Sequence, residues 1–257
     1  MSDPHLKEKV VVIAGPTASG KSDLAIKIAQ MIDSEIISED AFQIYRGLDI
    51  GTAKPSKDDL AKVKHHFIDI KEVDESYSAY EFARDARIVI NQISSKKKIP
   101  LIVGGSGFFL QTLLGDRRIS DKDNPIVPKK AGIENRLYNA LLIGLNTERS
   151  QLYDRINQRV ERMFEKGIVK EAENLFRQQG NFQSKKAIGY REFAGYFANQ
   201  YDLSEVETLI KRDSRRYAKR QLTYFKNQFP DMRWFDTKQI TENPKLIIDL
   251  VKKFNQF

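Results

Sequence analysis

The chain has 257 residues, no cysteine and a formal net charge of +8, which leaves out disulfides and thiolate metal sites and makes a polyanionic partner plausible without demanding one. It is long enough for one large domain with a substantial core and has no run of eighteen apolar residues. Because Met1-Ser-Asp-Pro-His-Leu-Lys-Glu-Lys9 is no apolar signal segment, a soluble, cytoplasmic protein without membrane contact is expected.

Val10-Val11-Val12-Ile13-Ala14 reads as a buried strand, and Gly15-Pro16-Thr17-Ala18-Ser19-Gly20-Lys21-Ser22 fits the pattern G-x-x-x-x-G-K-[ST]. Leu24, Ile26, Ile28, Ala29 and Ile32 then continue as a helix. Strand, loop and helix together make a polyphosphate cradle, in which loop amides and the helix N-terminus point at phosphate oxygens. Lys21 adds a positive charge, and Ser22 offers its hydroxyl to a Mg²⁺ bridging those oxygens. Gly15, Thr17, Ala18, Ser19, Gly20, Lys21 and Ser22 are the expected phosphate-binding residues. Kinases, ATPases and diphosphate-releasing transferases all need such a cradle, so it does not name the reaction.

Further along, 34–38 reads as a second strand ending in Glu39-Asp40, 78–95 as an amphipathic helix, and 99–103 as another buried strand. This alternation predicts an α/β fold, a parallel sheet with helices on both faces and ligands at the carboxyl ends of the strands. The P-loop, the loop 39–43 and the glycine loop 104–107 should meet there. Residues from about Gly115 to Gly132 lose periodicity and read as an exposed connection. Leu145 marks a strand-like end, Thr147 is a candidate helix cap, and 148–178 has helical periodicity. In the basic stretch 211–226, Ala218, Leu222 and Phe225, with Phe229 beyond it, line one helix face, while Arg212, Arg215, Arg216 and Lys219 spread over the opposite arc. That arc is either a solvated face or a site for a diphosphate or an RNA backbone. Residues 238–257 read as a short helix packing back on the body. His65-His66 has too few partner ligands for a metal site and reads as structural or as part of a substrate channel; Trp234 reads as core.

The segments Ala14–Ser22, Ser38–Pro55, His65–Asp69, Ile102–Gly107, Lys186–Tyr190 and Ser214–Gln221 resemble, in order and spacing, those of the tRNA dimethylallyltransferase family. The resemblance covers roughly 9–115 and 135–236. It implies a P-loop NTPase-like core (1–115 and 135–236) with a helical, RNA-facing C-terminal part, a shortened remnant of the family's insertion at 116–134, and a tail helix at 237–257. It also implies a Mg²⁺-dependent transfer of a dimethylallyl group from dimethylallyl diphosphate to the exocyclic amine of the adenosine 3′ to the tRNA anticodon. In that reading Asp40 is the general base, Arg215 and the P-loop neutralise the leaving diphosphate, and Ser106, standing where the family has a threonine, lines the channel. Gln43 reads the adenine edge of a flipped base, and Thr17, Tyr190, Arg191, Arg216, Lys219 and Arg220 face substrate or tRNA. For Tyr190 and Arg191, helix packing is an equal alternative, and Asp40 could instead be a structural cap. A monomer is expected. The rivals are a P-loop small-molecule kinase, a prenyltransferase acting on free AMP or ADP, and a tRNA-binding paralogue without catalysis.

Overall fold

The computed structural model describes residues 7–115 and 136–256; the segment read as an exposed connection and insertion remnant lies outside the described residues. In chain order the first half comprises β1 (Lys9–Ala14), α1 (Lys21–Met31), β2 (Ile36–Glu39), α2 (Lys57–Lys62), β3 (His65–His66), α3 (Ala79–Ser95), β4 (Leu101–Gly104) and α4 (Gly107–Leu114). The second half comprises β5 (Asn139–Asn146), α5 (Arg149–Glu165), α6 (Ile168–Arg177), α7 (Phe193–Phe197), α8 (Leu203–Gln228), β6 (Arg233–Asp236), α9 (Thr237–Glu242) and α10 (Lys245–Gln256). All strand pairs are parallel, in the order β3-β2-β4-β1-β5-β6.

The period of two along β1 divides the core. Val10, Val12 and Ala14 join Ile102 and Leu142 on one face, with α3, α4 and α8. Val11 and Ile13 join Leu101, Ile143 and Leu145 on the other, with α1, α9 and α10. Covered on both faces and flanked by β4 and β5, β1 can be apolar at every position, which is why its sequence is a continuous run. Because β1 is central, the loop that leaves it opens at the middle of the sheet's carboxyl edge.

The expected α/β sheet is therefore present, with several local differences. Ser78 caps α3 through a reciprocal capping box with Glu81. The helix expected over 148–178 is two, α5 and α6, with the chain turning at Gly167. Glu148, not Thr147, caps α5, accepting from the amides of Ser150 and Gln151; Thr147 is buried at the end of β5, its hydroxyl 2.7 Å from that of Thr237. The tail is two helices, divided around Asn243-Pro244 because proline has no amide to continue the helix. Trp234 lies on β6 and packs against Gly144, as core. His66 bonds Glu35 at 2.7 Å, and His65 bonds the Val63 carbonyl.

Helix α8 is the longest element, at 26 residues, and Phe225 anchors it with a fully buried ring 6.0 Å from that of Phe229. Phe225→Ala should lose about 3–5 kcal/mol of stability, read as a lower urea midpoint with an unchanged slope.

Candidate active site

The P-loop is built as its sequence requires. Gly20 is the N-cap of α1 at φ 80°, a left-handed conformation that glycine takes without strain, and no side chain caps the helix. The first amides of α1 are thus left for an anion. Thr17, Lys21 and Ser22 line an inner cavity of about 110 Å³ together with Asp40, Gln43, Thr52, Arg159, Tyr217 and Gln221. Ala18, Ser19, Gly20, Lys21 and Ser22 also border an outer groove on the other side of the loop. Gly15 serves the fold: a Cβ there would sit 2.8 Å from the Leu145 carbonyl oxygen.

Lys21 donates to the Pro16 carbonyl at 2.7 Å. Burial, reinforced by the charge of Arg159, pushes its ammonium down to about 8 against the pull of Asp40 and Glu39. Burial likewise lowers the guanidinium of Arg159, whose Nη1 donates to the Thr17 hydroxyl at 3.0 Å and Nη2 to the Thr52 carbonyl at 3.4 Å. Two desolvated cations thus share the cavity, an arrangement that favours a multiply charged anion between them.

The three loops expected to converge do so. Oδ1 of Asp40 accepts from the amides of Phe42 and Gln43 at 2.9 and 3.2 Å, so it braces its own turn, and the residue also lines both the inner cavity and a second one of about 240 Å³. Cap and cavity-facing carboxylate are therefore combined in one side chain. Glu39 beside it is buried. Its Oε2 accepts from the Ser106 amide at 3.3 Å, Oε1 has no partner among the described residues, and burial, with the neighbouring Asp40, holds its carboxyl well above the usual range. Ser106 and Tyr217 both line the second cavity, and the Tyr217 phenol is raised by burial and by Asp40 and Glu39. Gln43 accepts from the Ser38 hydroxyl at 3.2 Å and donates to the carbonyls of Thr52 and Ala53. Both of its amide hydrogens are engaged, and one lone pair of its oxygen is left.

Two expected placements differ. Arg215, expected on the diphosphate, donates to Asn157 Oδ1 at 2.7 Å and lies over the Tyr153 ring, both on α5. Positions 214, 217 and 221 share the cavity side of α8, and one residue on from 214 is rotated by about 100°; Arg159 of α5 stands in the cavity instead. Tyr190, expected at substrate, is fully buried, its hydroxyl donating to Glu171 at 2.5 Å, so the helix-packing alternative holds for it. Arg191 and Arg220 do line the second cavity, with Lys186; Arg191 also pairs with Glu192 and Asp213. Arg216 and Lys219 are exposed on α8. The walls of the second cavity include Ile156, Val160, Met163, Ile188 and Ile210, giving an apolar chamber with cations at its boundary.

The residues missed in the sequence are Arg159, Tyr217 and Gln221. Gln221 accepts from the Thr17 amide and donates to the Gly105 carbonyl, both at 2.9 Å. A signal existed for two of them. Arg159 lies between Ile156 and Met163 on the edge of the buried stripe of α5, and Gln221 sits in the buried stripe Ala218, Gln221, Phe225 of α8. A polar residue in an apolar stripe needs a partner, and here the partners are the site.

The arrangement generates two expectations. Affinity for inorganic diphosphate, followed by calorimetry, should fall by roughly 10–100-fold in Arg159→Gln and change little in Arg215→Gln. It should also weaken as the pH passes about 8 and Lys21 loses its proton, whereas Lys21→Arg should stay flat. Stability moves oppositely: between about 8 and 10.5 the unfolded chain holds the lysine proton that the folded one releases, so Lys21 destabilises the fold less as pH rises through that window.

Comparison with known proteins agrees with this geometry. A family model described as IPP transferase matches residues 43–131 and 124–228. The tRNA dimethylallyltransferase of Streptococcus pneumoniae strain Hungary19A-6 is 40% identical over 267 residues, spanning 87% of this chain and 91% of the relative. Among solved structures, the tRNA delta(2)-isopentenylpyrophosphate transferase of Staphylococcus epidermidis is 31% identical with a TM-score of 0.86, and the full-length tRNA isopentenylpyrophosphate transferase of Bacillus halodurans is 34% identical with a TM-score of 0.85. In both cases 98% of this chain and 100% of the other are covered. With the P-loop, Asp40 and the glycine loop gathered at one crevice, and with relatives matching along nearly the whole chain, the chain belongs to the IPP transferase family.

Proposed function

We propose that this chain transfers a dimethylallyl group from dimethylallyl diphosphate to the N6 amine of the adenosine 3′ to the anticodon in tRNA, releasing diphosphate, in the cytoplasm. The observation that carries the reading is the meeting of two unlike cavities, one polar and cationic, one largely apolar, at the shared residues Thr17, Asp40, Thr52, Arg159 and Tyr217. A phosphorylated donor and a base presented by RNA suit such a pair, and the relatives are named for this transfer. The small-molecule kinase has no comparable support.

In this mechanism the diphosphate lies against the α1 amides, Lys21, Arg159 and Thr17. The adenine enters the apolar cavity as a flipped base, guided on the RNA side by Arg191, Arg216, Lys219 and Arg220. As its amine nitrogen bonds to the allylic C1, the C–O bond breaks and diphosphate leaves with the electron pair. Oδ2 of Asp40, the oxygen not engaged with the turn, takes the amine proton. Lys21 and Arg159 meet the charge that develops on the leaving oxygens. The remaining lone pair of Gln43 faces the adenine edge, and Ser106 and Tyr217 form part of the wall beside the reacting atoms.

Among the described residues no cluster of three His, Cys, Asp or Glu could hold a metal unaided. The Ser22 hydroxyl on the inner cavity is a hard oxygen donor of the kind Mg²⁺ takes alongside diphosphate oxygens and water, so the site fits that ion with the diphosphate supplying most of its ligands. When bound, Mg²⁺ would neutralise part of the leaving-group charge.

Incubation with dimethylallyl diphosphate, Mg²⁺ and either an anticodon stem-loop or AMP, followed by nucleoside mass spectrometry, is expected to give prenylated adenosine in the RNA. Product from AMP alone would redirect the reading to free nucleotides, and no product from either would end it. Asp40→Asn should lower the rate by roughly 10²–10⁴-fold; near-full activity would remove Asp40 as the base.

A further inference from the structure

We propose that Glu171, with Tyr190, is a positioning residue that fixes the loop 49–53 so that its carbonyls orient both Arg159 and Gln43. The inference rests on the roles just assigned to those two side chains. Oε2 of Glu171 accepts from the amides of Asp49 and Ile50 at 2.9 and 3.0 Å, and Oε1 accepts from those of Ile50 and Gly51 at 3.0 Å each. The phenol of Tyr190 donates to Oε1 at 2.5 Å. Three consecutive amides thus converge on one carboxylate carried in the first turn of α6, where the helix dipole also favours a negative charge.

The consequence is on the far side of the loop. The Thr52 carbonyl, one residue past the last captured amide, accepts from Arg159 Nη2 and Gln43 Nε2, and the Ala53 carbonyl accepts from Gln43 as well. Inside the loop the Thr52 hydroxyl donates to the Leu48 carbonyl at 2.6 Å, and the Ala53 and Lys54 amides donate to the Ile50 and Asp49 carbonyls at 3.0 Å each, so the carboxylate holds in place a turn that moves as one unit. Lys54 braces the loop's other end through the Tyr45 carbonyl at 2.9 Å and Asp69 at 2.6 Å. Gly51 is required by the same contact, since a Cβ there would stand 2.5 Å from the Tyr190 ring. The geometry gives the buried Tyr190 a purpose that packing alone does not: its hydroxyl keeps the Glu171 carboxylate turned toward the loop.

The test uses the full chain and the variants Glu171→Gln and Tyr190→Phe. An amide cannot accept on both of its heteroatoms, so in Glu171→Gln the amides of 49–51 should exchange with deuterium faster. The KM for dimethylallyl diphosphate and that for the stem-loop should each rise about tenfold, and Tyr190→Phe should move both in the same direction by less. A general loss of stability would act regardless of Arg159, so the discriminating measurement is a double-mutant cycle. In an Arg159→Gln background, Glu171→Gln should add little to the donor KM, and in a Gln43→Ala background little to the RNA KM. Unchanged exchange at 49–51, or full additivity in both cycles, overturns the proposal. If Glu171→Gln does not fold, Tyr190→Phe carries the same readouts. If the wild-type chain makes no product, the transferase reading fails by itself, and faster exchange at 49–51 with weaker diphosphate affinity in Glu171→Gln still decides whether Glu171 fixes the loop.

Discussion

Two loops leave the carboxyl ends of the neighbouring strands β1 and β4, and beyond the last pair, Ala14 opposite Gly104, no ladder hydrogen bond sets the distance between them. What fixes it is the amide of Gln221, whose oxygen takes the Thr17 amide and whose nitrogen serves the Gly105 carbonyl. The group is buried, so water cannot replace either bond, and an unsatisfied backbone group there would destabilise by about 1–3 kcal/mol. The sheet thereby receives its ligand-binding edge from a helix some two hundred residues along the chain. The docking of α8 through Phe225 and Ala218 is then a condition for the P-loop having its geometry, and the fold and the site cannot be separated at this point.

The electrostatics follow from that closure. Lys21 and Arg159 are both desolvated and the charge of Arg159 bears on Lys21, while Asp40 opposes both and Glu39 opposes Lys21 from the end of β2. Burial, with the neighbouring Asp40, holds the Glu39 carboxyl well above its usual range, and burial disfavours the charged forms of Lys21 and Arg159 as well. A diphosphate relieves this strain directly, which is a physical reason for the loop to select a multiply charged anion over a neutral ligand.

Much of this was legible in the sequence because local rules carried it. The run 10–14 and the P-loop pattern specify strand, turn and helix over about twenty adjacent residues, and the apolar run 99–103 and the helical period over 78–95 are equally local. The misplaced and missed residues depend on contacts far apart in sequence. Arg215 and Arg159 are both arginines on amphipathic helices, and which one reaches the cavity is set by how α5 and α8 pack, a contact 58 residues apart in the case of Arg215 and Asn157. Tyr190 beside Arg191 in a motif looks like a pair of surface residues, yet the ring is swallowed by Gly51, 139 positions earlier. Strand β3 is two residues long, and β6 begins and ends in exposed charged residues, so neither has a pattern to read.

The division of the crevice into a small cationic chamber and a larger apolar one bears on how water is kept from the chemistry. Asp40, Thr17, Arg159 and Tyr217 belong to both walls, so on the proposed chemistry the reacting atoms meet where the chambers join. With only the diphosphate chamber filled, that junction remains open through the apolar side, and the allylic carbon lacks its nucleophile while the base has no proton to take. A flat, weakly polar ring entering between Ile156, Val160, Met163 and Ile210 would both supply the amine and displace solvent from Asp40. Removal of that solvent strengthens the interaction of Lys21 and Arg159 with the departing charge, because the same pairs interact more strongly at lower local dielectric. On the proposed chemistry, the acceptor base therefore completes the electrostatic environment that the donor's leaving group needs, and the coupling between the two substrates arises from the shared wall without any moving part.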